Sequence, residues 1–278
     1  IEAVKEELGL TFDCEIIDVR YDPRRRGDYA DELHKLRGRK GLTRRDAINQ
    51  LKSPNYFGPM MVHCGDADGY LGGIAHNYPD IVKPCLQTIG PDPSSHRIVG
   101  LYMMTVNGQL MFIADATINI YPDARTLAEI AIQTAKVARR FGVSPKVAML
   151  SFSNFGTSNE LRTDRIEEAI AMARELDRGL VIDGPMQADT ALVPDRQKEF
   201  PFMEFDGSAN VLVCPNLASA NIAYKLLQRI AGAEMTGPIL EGLAKPAHVL
   251  QRGDSVRQVV HMAAITAVDA QRHTRQRL

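Results

Sequence analysis

Two stretches of this sequence carry charged and polar side chains that could bind an anionic ligand. The first is Gln-Arg-Gly-Asp-Ser at residues 251–255. It ends a segment in which a short apolar run at 211–214 predicts a buried strand, residues 220–231 predict a helix with Ser219 as its N-cap, and residues 236–238 predict a loop. A buried strand followed by a polar loop and a helix N-terminus is how α/β proteins present an anion-binding surface.

The second stretch, residues 20–45, holds ten Lys and Arg residues against four Asp and Glu residues. Two interpretations stay open. The charges form either an ordinary solvated surface or a phosphate-binding rim.

No metal site is predicted. The four cysteines are scattered, without a Cys-x-x-Cys pair or a Cys/His cluster, and reduced, buried cysteines in a cytosolic protein are expected. Alternating aspartates at Asp66 and Asp68 are similar to a calcium-binding loop. The twelfth position of such a loop, counted from Asp66, is Asn77 instead of the required Glu, which excludes it.

Composition excludes several classes of protein. The chain of 278 residues has 45% hydrophobic residues, 24% charged residues and a net charge of −1. This composition is ordinary for a globular protein, and the net charge does not favour binding to nucleic acid or to a membrane. No apolar run approaches the roughly 18 residues that span a bilayer. The first ten residues lack a starting Met and a signal-peptide pattern, and they are typical of a helix entered partway. We therefore expect a cytoplasmic protein and a fragment of a longer chain.

Strands and helices alternate along the middle of the chain. A hairpin is predicted at 98–106 and 109–114 around Asn107-Gly108, followed by a helix at 126–141 capped by Thr126 and Glu129. A strand at 147–150, a helix at 165–176 and a strand at 180–183 come next. This alternation predicts a largely parallel sheet with ligands at the carboxyl ends of its strands. Ser153, Asn154 and the 214–219 turn should then lie near one cleft.

The flanking segments are assigned more simply. Strands are predicted at 14–19 and 59–64, and helices at 29–36, 70–76, 80–88 and 255–271. A further short helix, capped by Thr43, is predicted to extend through Leu51. The Gly-Pro-Asp-Pro-Ser-Ser linker at 90–95 predicts a crossover between lobes.

Several motifs together resemble the phosphate acetyltransferase family. They are Ala-Asn-Val-Leu at 209–212, Tyr-Lys-Leu at 224–226, Gly-Ala-Glu at 232–234, Gly-Pro-Ile-Leu at 237–240 and Lys-Pro at 245–246. Residues 183–190, 199–202, 207–210 and 268–271 are similar to one branch, the phosphotransacetylase-like C-terminal domain of bacterial NADP-dependent malic enzymes. The resemblance implies a two-lobed α/β fold, phosphotransacetylase-like and isocitrate/isopropylmalate dehydrogenase-like, with an interlobe cleft. One lobe would be 1–97, truncated at its N-terminus, with 238–278; the other would be 98–237.

The resemblance also implies roles for the 251–258 region. In the family, a Ser-Arg-Gly-Cys-Ser motif is followed by an Asp that deprotonates the coenzyme A thiol, seven residues beyond the first Ser. Here the Ser position is Gln251, the Arg position is Arg252, the Cys position is Asp254 and the Asp position is Gln258. Because a neutral amide cannot accept a proton and Asp254 disfavours nearby anions, no catalytic residue is expected. Asp254 is either a substitute base or a cap for the helix from Val256.

Acetyl-CoA binding is expected nevertheless, because part of the basic rim remains. Lys83 replaces a family Arg, which keeps the charge but loses the bidentate fork. The predicted acetyl-CoA-binding residues are Arg37, Lys40, Lys83, Ser153, Asn154, Gln251, Arg252 and Ser255.

Three functions compete at this point. The main prediction is a catalytically inactive regulatory domain of an NADP-dependent malic enzyme, which oxidatively decarboxylates malate to pyruvate. It would bind acetyl-CoA as an allosteric inhibitor and hold a homo-oligomer, dimer or larger, together. The domain itself would need no cofactor, since NADP and a divalent metal belong to an N-terminal malic-enzyme domain that would be its partner. The alternatives are an active phosphate acetyltransferase, which interconverts acetyl-CoA plus phosphate with coenzyme A plus acetyl phosphate, and a pure oligomerisation module.

Overall fold

The fold is built on one large sheet and one small sheet. The structure, a computed structural model, describes residues 1–106, 108–156 and 161–275, with the side chains of 161–163 excepted. The strands of the described chain are β1 (Tyr70–Gly72), β2 (Val99–Val106), β3 (Gln109–Ala114), β4 (Lys146–Leu150), β5 (Val181–Met186), β6 (Val211–Val213), β7 (Glu234–Glu241) and β8 (Ala247–Val249).

The large sheet has the strand order β5-β4-β6-β3-β2-β7. Its β5-to-β3 half is parallel, while β2 runs antiparallel to both of its neighbours. The predicted hairpin is confirmed in β2 and β3, with Asn107 outside the described residues, and its antiparallel pairing makes the sheet mixed. β1 and β8 pair separately as a parallel two-stranded sheet.

Helices cover both faces of the large sheet. The helices of the described chain are α1 (Glu2–Glu7), α2 (Pro23–Arg37), α3 (Arg44–Gln50), α4 (Pro54–Cys64), α5 (Tyr78–Thr88), α6 (Ala124–Arg140), α7 (Leu161–Leu176), α8 (Ala188–Leu192), α9 (Pro194–Gln197), α10 (Leu217–Ile230) and α11 (Val256–Arg275), with a 3₁₀ helix at Gly38–Lys40. One face packs against α6, α7 and α11, and the other against α8 and α10. The α/β fold class is therefore confirmed.

The N-terminal part of the chain contains neither of the two strands predicted there. Residues 59–64 belong to α4, which begins after the Ser53 cap with Pro54 at its first position. A short apolar run does not distinguish a strand from a buried helix, and the burial of Phe57 and Met60 follows the helical spacing. Conversely, 70–76 holds β1 instead of a helix, and 14–19 forms no strand.

Local capping follows the predicted chemistry, with two shifts of position. Thr43 and Asp46 form the capping box of α3. Asp123, instead of Thr126, caps α6, and Asn216, instead of Ser219, caps α10. The prediction for the cysteines is only half right, because Cys85 and Cys214 are buried whereas Cys14 and Cys64 are exposed.

The C-terminal segment contributes more residues to the large sheet than its sequence indicated. β7 runs through Gly237-Pro238, where a loop was predicted, and the proposed lobe boundary at 238 falls inside this strand. Leu250 and Met262 pack into the core beneath the sheet. The division into two lobes stays a prediction. No helix of the described chain is long and apolar enough to cross a membrane.

Candidate active site

The turn that precedes α11 is held by its own side chains. The Ser255 hydroxyl accepts a hydrogen bond from the Gln258 backbone N–H at 3.3 Å, and the Ser255 N–H donates to Gln258 Oε1 at 2.8 Å. This reciprocal pair is a capping box. Gln258 Nε2 also donates to the Met235 carbonyl at 3.2 Å. Gln258 thus anchors the start of α11 to β7, and the predicted cap at Asp254 is wrong because Ser255 takes that place.

Asp254 is the carboxylate of this turn. Its Oδ2 accepts a hydrogen bond from the Gln251 backbone N–H at 2.7 Å, which closes the turn. Burial raises the pKa of the Asp254 carboxyl, and the Gln251 N–H opposes that shift only in part. A half-buried carboxylate with a raised pKa is a better proton acceptor than an exposed one.

Arg252 reaches across to a different part of the chain. Its Nη2 donates to the Ala75 carbonyl at 3.2 Å. Ala75 lies in the loop between β1 and α5, the helix that carries Lys83. The guanidinium is exposed and keeps further N–H groups for an anion, because one hydrogen bond uses only one of its five donors.

Tyr78, Tyr102 and Tyr224 form a tyrosine wall, in which Tyr102 and Tyr224 are buried and Tyr102 lies near Asp254. Tyr102 of β2 stacks on Tyr224 of α10 with ring centroids 4.3 Å apart, and both are 3% exposed. The pKa of the Tyr102 hydroxyl is raised first by burial and then by the nearby Tyr224. The charge of Asp254 adds to this shift. Tyr78 of α5 donates its hydroxyl hydrogen bond to Thr117 Oγ1 at 2.7 Å. Burial also raises the pKa of the Tyr78 hydroxyl, so the hydroxyls of Tyr78 and Tyr102 are neutral at physiological pH.

The loop after β3 supports this wall. Asp115 is buried, and its carboxylate accepts hydrogen bonds from the backbone N–H groups of Thr117, Ile118 and Asn119 at 2.8–3.1 Å. Burial raises the Asp115 pKa, and these N–H groups oppose the shift. Thr117 leaves no space at Gly100, where an added Cβ would lie 1.7 Å from its Oγ1. A glycine is therefore required behind the tyrosines.

The predicted basic residues fall into separate groups. Lys83 lines a pocket of about 330 Å³ together with Tyr56. Burial raises the pKa of the Tyr56 hydroxyl, and the charge of Arg37 opposes this shift, so Arg37 lies near Tyr56. Lys40 is exposed at the end of the 3₁₀ helix. Lys83 thus lies in the pocket beside Tyr56 and Arg37 acts on the same tyrosine through its charge, while Arg252 lies with Gln251 and Ser255 in the turn.

Ser153 and Asn154 lie at the carboxyl end of β4, as predicted. The Asn154 Oδ1 accepts a hydrogen bond from the Gln187 backbone N–H at 2.8 Å, and the Asn154 Nδ2 donates one to Gln187 Oε1 at 3.2 Å. Asn154 therefore joins the β4 and β5 loops. Ser153 is 7% exposed, and its hydroxyl has no hydrogen-bond partner among the described residues. The next described helix along the chain is α7, Leu161–Leu176, in place of the predicted 165–176.

Sequence reasoning did not find the tyrosine wall. Tyr78, Tyr102 and Tyr224 belong to three different elements, and no spacing in the sequence connects them. The only local signal was a polar hydroxyl within otherwise apolar, buried segments. Together, the turn and the wall offer a proton acceptor, a guanidinium and neutral hydroxyl donors, a set that can deprotonate a thiol and bind a phosphate.

Comparison with known proteins agrees with this chemistry. The family described as phosphate acetyl/butaryl transferase matches residues 1–267. The phosphate acetyltransferase of Corynebacterium glutamicum is 39% identical over 95% of this chain and 80% of its own length, and that of Bacillus subtilis is 40% identical over 97% and 84%. The crystal structure of a phosphotransacetylase from Streptococcus pyogenes superimposes with a TM-score of 0.90, at 37% identity, over 97% of this chain and 83% of that one.

These relatives overturn the main functional prediction. A catalytically inactive regulatory domain of a malic enzyme is wrong, because proteins named phosphate acetyltransferase match this chain over nearly all of its length. The predicted N-terminal malic-enzyme domain, the oxidoreductase class, NADP and inhibition of a malic enzyme are withdrawn for the same reason. Homo-oligomer formation stays a prediction. The chain belongs to the phosphate acetyl/butaryl transferase family.

Proposed function

We propose that this protein is an active phosphate acetyltransferase, which interconverts acetyl-CoA plus phosphate with coenzyme A plus acetyl phosphate. The observation that carries the proposal is the 39–40% identity to phosphate acetyltransferases over 95–97% of the chain. The raised pKa of the Asp254 carboxyl supports it, because a proton acceptor stands in the very turn that lacks the family Asp. A cytoplasmic location is part of this proposal.

Asp254 is proposed to accept the thiol proton of coenzyme A. The thiolate then attacks the acetyl carbon of acetyl phosphate, so that a C–S bond forms and the C–O bond to phosphate breaks. The proton stays on Asp254, which becomes neutral and no longer repels the departing phosphate. A carboxylate with a raised pKa is closer to the pKa of a thiol, about 8.5 for a free cysteine, and proton transfer is correspondingly easier.

Arg252 is proposed to bind the transferred phosphate. Its exposed guanidinium lies two residues from Asp254, and a fork of N–H donors suits phosphate oxygens. Lys83, which lines the pocket beside Tyr56, and Arg37, whose charge acts on Tyr56, are proposed to bind phosphate groups of coenzyme A. Lys40, Ser153, Asn154, Gln251 and Ser255 remain proposed contacts of acetyl-CoA.

The test is an assay of acetyl-CoA formation from coenzyme A and acetyl phosphate. We expect turnover by the unmodified protein and a loss of about 10²–10⁴-fold in Asp254→Asn, the usual contribution of general-base catalysis. The exposed Asp195→Asn is the matched control and should be fully active. Background activity in the unmodified protein would refute the proposed function.

A second variant separates the base from the fold of the turn. In Asp254→Asn combined with Gln258→Asp, a carboxylate returns to the position of the family base. An Asp at this position can still accept the Ser255 N–H, so the capping box persists. Recovery of activity in the double variant would show that the turn needs a carboxylate. Full activity in Asp254→Asn alone would exclude Asp254 as the base and leave the function itself intact.

A further inference from the structure

A separate cavity lies at the carboxyl ends of β4 and β6. Its volume is about 450 Å³, within the range of ligand pockets in proteins. Leu150 and Phe152 at the end of β4, Ile166 of α7 and Ala223 of α10 form much of its wall. It shares no lining residue with the Arg252–Asp254 turn, and neither the proposed base nor the proposed phosphate-binding arginine lines it.

The topology explains why a cavity opens at this place. β4 and β6 are neighbours in the sheet. From β4 the chain passes through α7 on one face to β5, whereas from β6 it passes through α10 on the opposite face toward β7. The two connections diverge and leave a crevice between the N-terminal parts of α7 and α10. Such a switch point is where open α/β sheets bind their ligands.

One charged group points to the chemistry of the ligand. Arg165 of α7 is the single charged residue among the described residues that line the cavity. Its Nη2 donates to the Pro215 carbonyl at 3.1 Å. Its Nε is fully buried and has no hydrogen-bond partner among the described residues. A buried N–H group without an acceptor is costly, and an anion at the guanidinium would supply the acceptor.

Among the described residues that line the cavity, the remaining wall is mostly apolar and carries no negative charge. Burial raises the pKa of the Cys214 thiol to about 12, so this wall group is neutral at physiological pH and does not repel an anion. A phosphate dianion would require several cations, and the described lining residues supply one, Arg165. An apolar crevice with one guanidinium suits a single negative charge attached to a short alkyl chain.

We propose that this cavity binds a short-chain monocarboxylate. The carboxylate would pair with the Arg165 guanidinium, and its alkyl chain would pack against Leu150, Ile166 and Ala223. The site lies outside the proposed catalytic turn, so it is a second ligand site of this protein.

Titration calorimetry with hexanoate tests this proposal on the intact chain. Neutral hexanamide and inorganic phosphate are the comparison ligands. We expect hexanoate to bind at millimolar concentration, hexanamide more weakly, and phosphate not at this site. Arg165→Gln should weaken hexanoate binding by about 10- to 100-fold, the loss of one charge-assisted hydrogen bond, and should leave hexanamide unchanged.

Two further variants keep the outcome clear. Arg178→Gln removes an exposed arginine from the loop after α7 and should bind hexanoate normally. Ala223→Leu fills the crevice but keeps the guanidinium, and it should abolish binding of both hexanoate and hexanamide. Thermal unfolding of each variant verifies the fold, and the measurement involves no turnover, so its result is independent of acetyltransferase activity. Absence of hexanoate binding, equal affinity in Arg165→Gln, or preferential binding of phosphate lost in Arg165→Gln would each overturn the proposal.

Discussion

Arg140 connects three elements of the fold, and its removal provides a quantitative test of the packing. From α6 its guanidinium contacts Glu241 at the end of β7 and reaches Asp269 of α11 at 2.8 Å. The side chains of the three residues are only 12–17% exposed. His248, buried at 1% exposure, lies 3.1 Å from the second Asp269 oxygen. The network joins the sheet to the helix that carries the proposed site.

The expected cost of Arg140→Met follows from the burial of its partners. Removing one member of a buried ion pair typically costs about 3–5 kcal/mol, because the remaining charge is left uncompensated. Lys136 stays 3.7 Å from Glu241 and His248 stays bonded to Asp269, so we expect about 3 kcal/mol. For a protein of this size, that corresponds to a melting temperature lower by about 6 °C.

Thermal and urea unfolding at pH 7 measure this effect. Arg139→Met is the control, because the neighbouring residue pairs with Asp177 at 41% and 25% exposure, and exposed pairs contribute about 0–1 kcal/mol. Equal destabilisation by the two substitutions would refute the reasoning.

The pH dependence provides a second check on the same network. Burial alone would raise the pKa of the Asp269 carboxyl, but the His248 hydrogen bond and the Arg140 charge outweigh it and lower the pKa. A carboxyl with a lowered folded-state pKa contributes stability above its unfolded value of about 3.9, and this contribution is lost as pH falls through the folded value. The deficit of Arg140→Met should therefore shrink in acid.

Three further predictions concern the proposed site. Acetyl transfer should increase with pH as Asp254 deprotonates, with a midpoint above the ordinary Asp value of about 3.9 because burial raises its pKa; a pH–rate profile whose acid limb persists in Asp254→Asn would contradict this. Gly100→Ala should destabilise the fold by about 1–3 kcal/mol and reduce activity, because the new Cβ overlaps Thr117. Gly27→Ala within α2 is the control in urea unfolding: its Cβ would lie in open space, and it should stabilise the fold by up to about 1 kcal/mol. Arg252→Gln should increase KM for acetyl phosphate by about 10- to 100-fold in initial-rate assays, and an unchanged KM would remove Arg252 from the phosphate site.

Local chemistry determined the elements that the sequence predicts well. The β2–β3 hairpin follows from two strand-forming runs around Asn107-Gly108, and the start of α3 follows from the Thr43–Asp46 capping box. In both cases the deciding contacts join residues a few positions apart, so the spacing of residue types is sufficient. The family motifs at 209–246 are long enough to indicate the α/β fold, whereas similarity to one branch of relatives led to the wrong function.

Tertiary contacts decided the rest. Residues 59–64 are a helix because Phe57 and Met60 pack against α2 and its neighbours, and the apolar run alone fits either period. Gln258 appeared to be a lost base, yet its amide bonds Ser255 and Met235, the latter 23 residues away. Tyr102 and Tyr224 meet only because β2 and α10 share one face of the sheet. The cavity around Arg165 exists because α7 and α10 leave neighbouring strands on opposite faces, and that divergence depends on strand order, which pairing between distant segments sets.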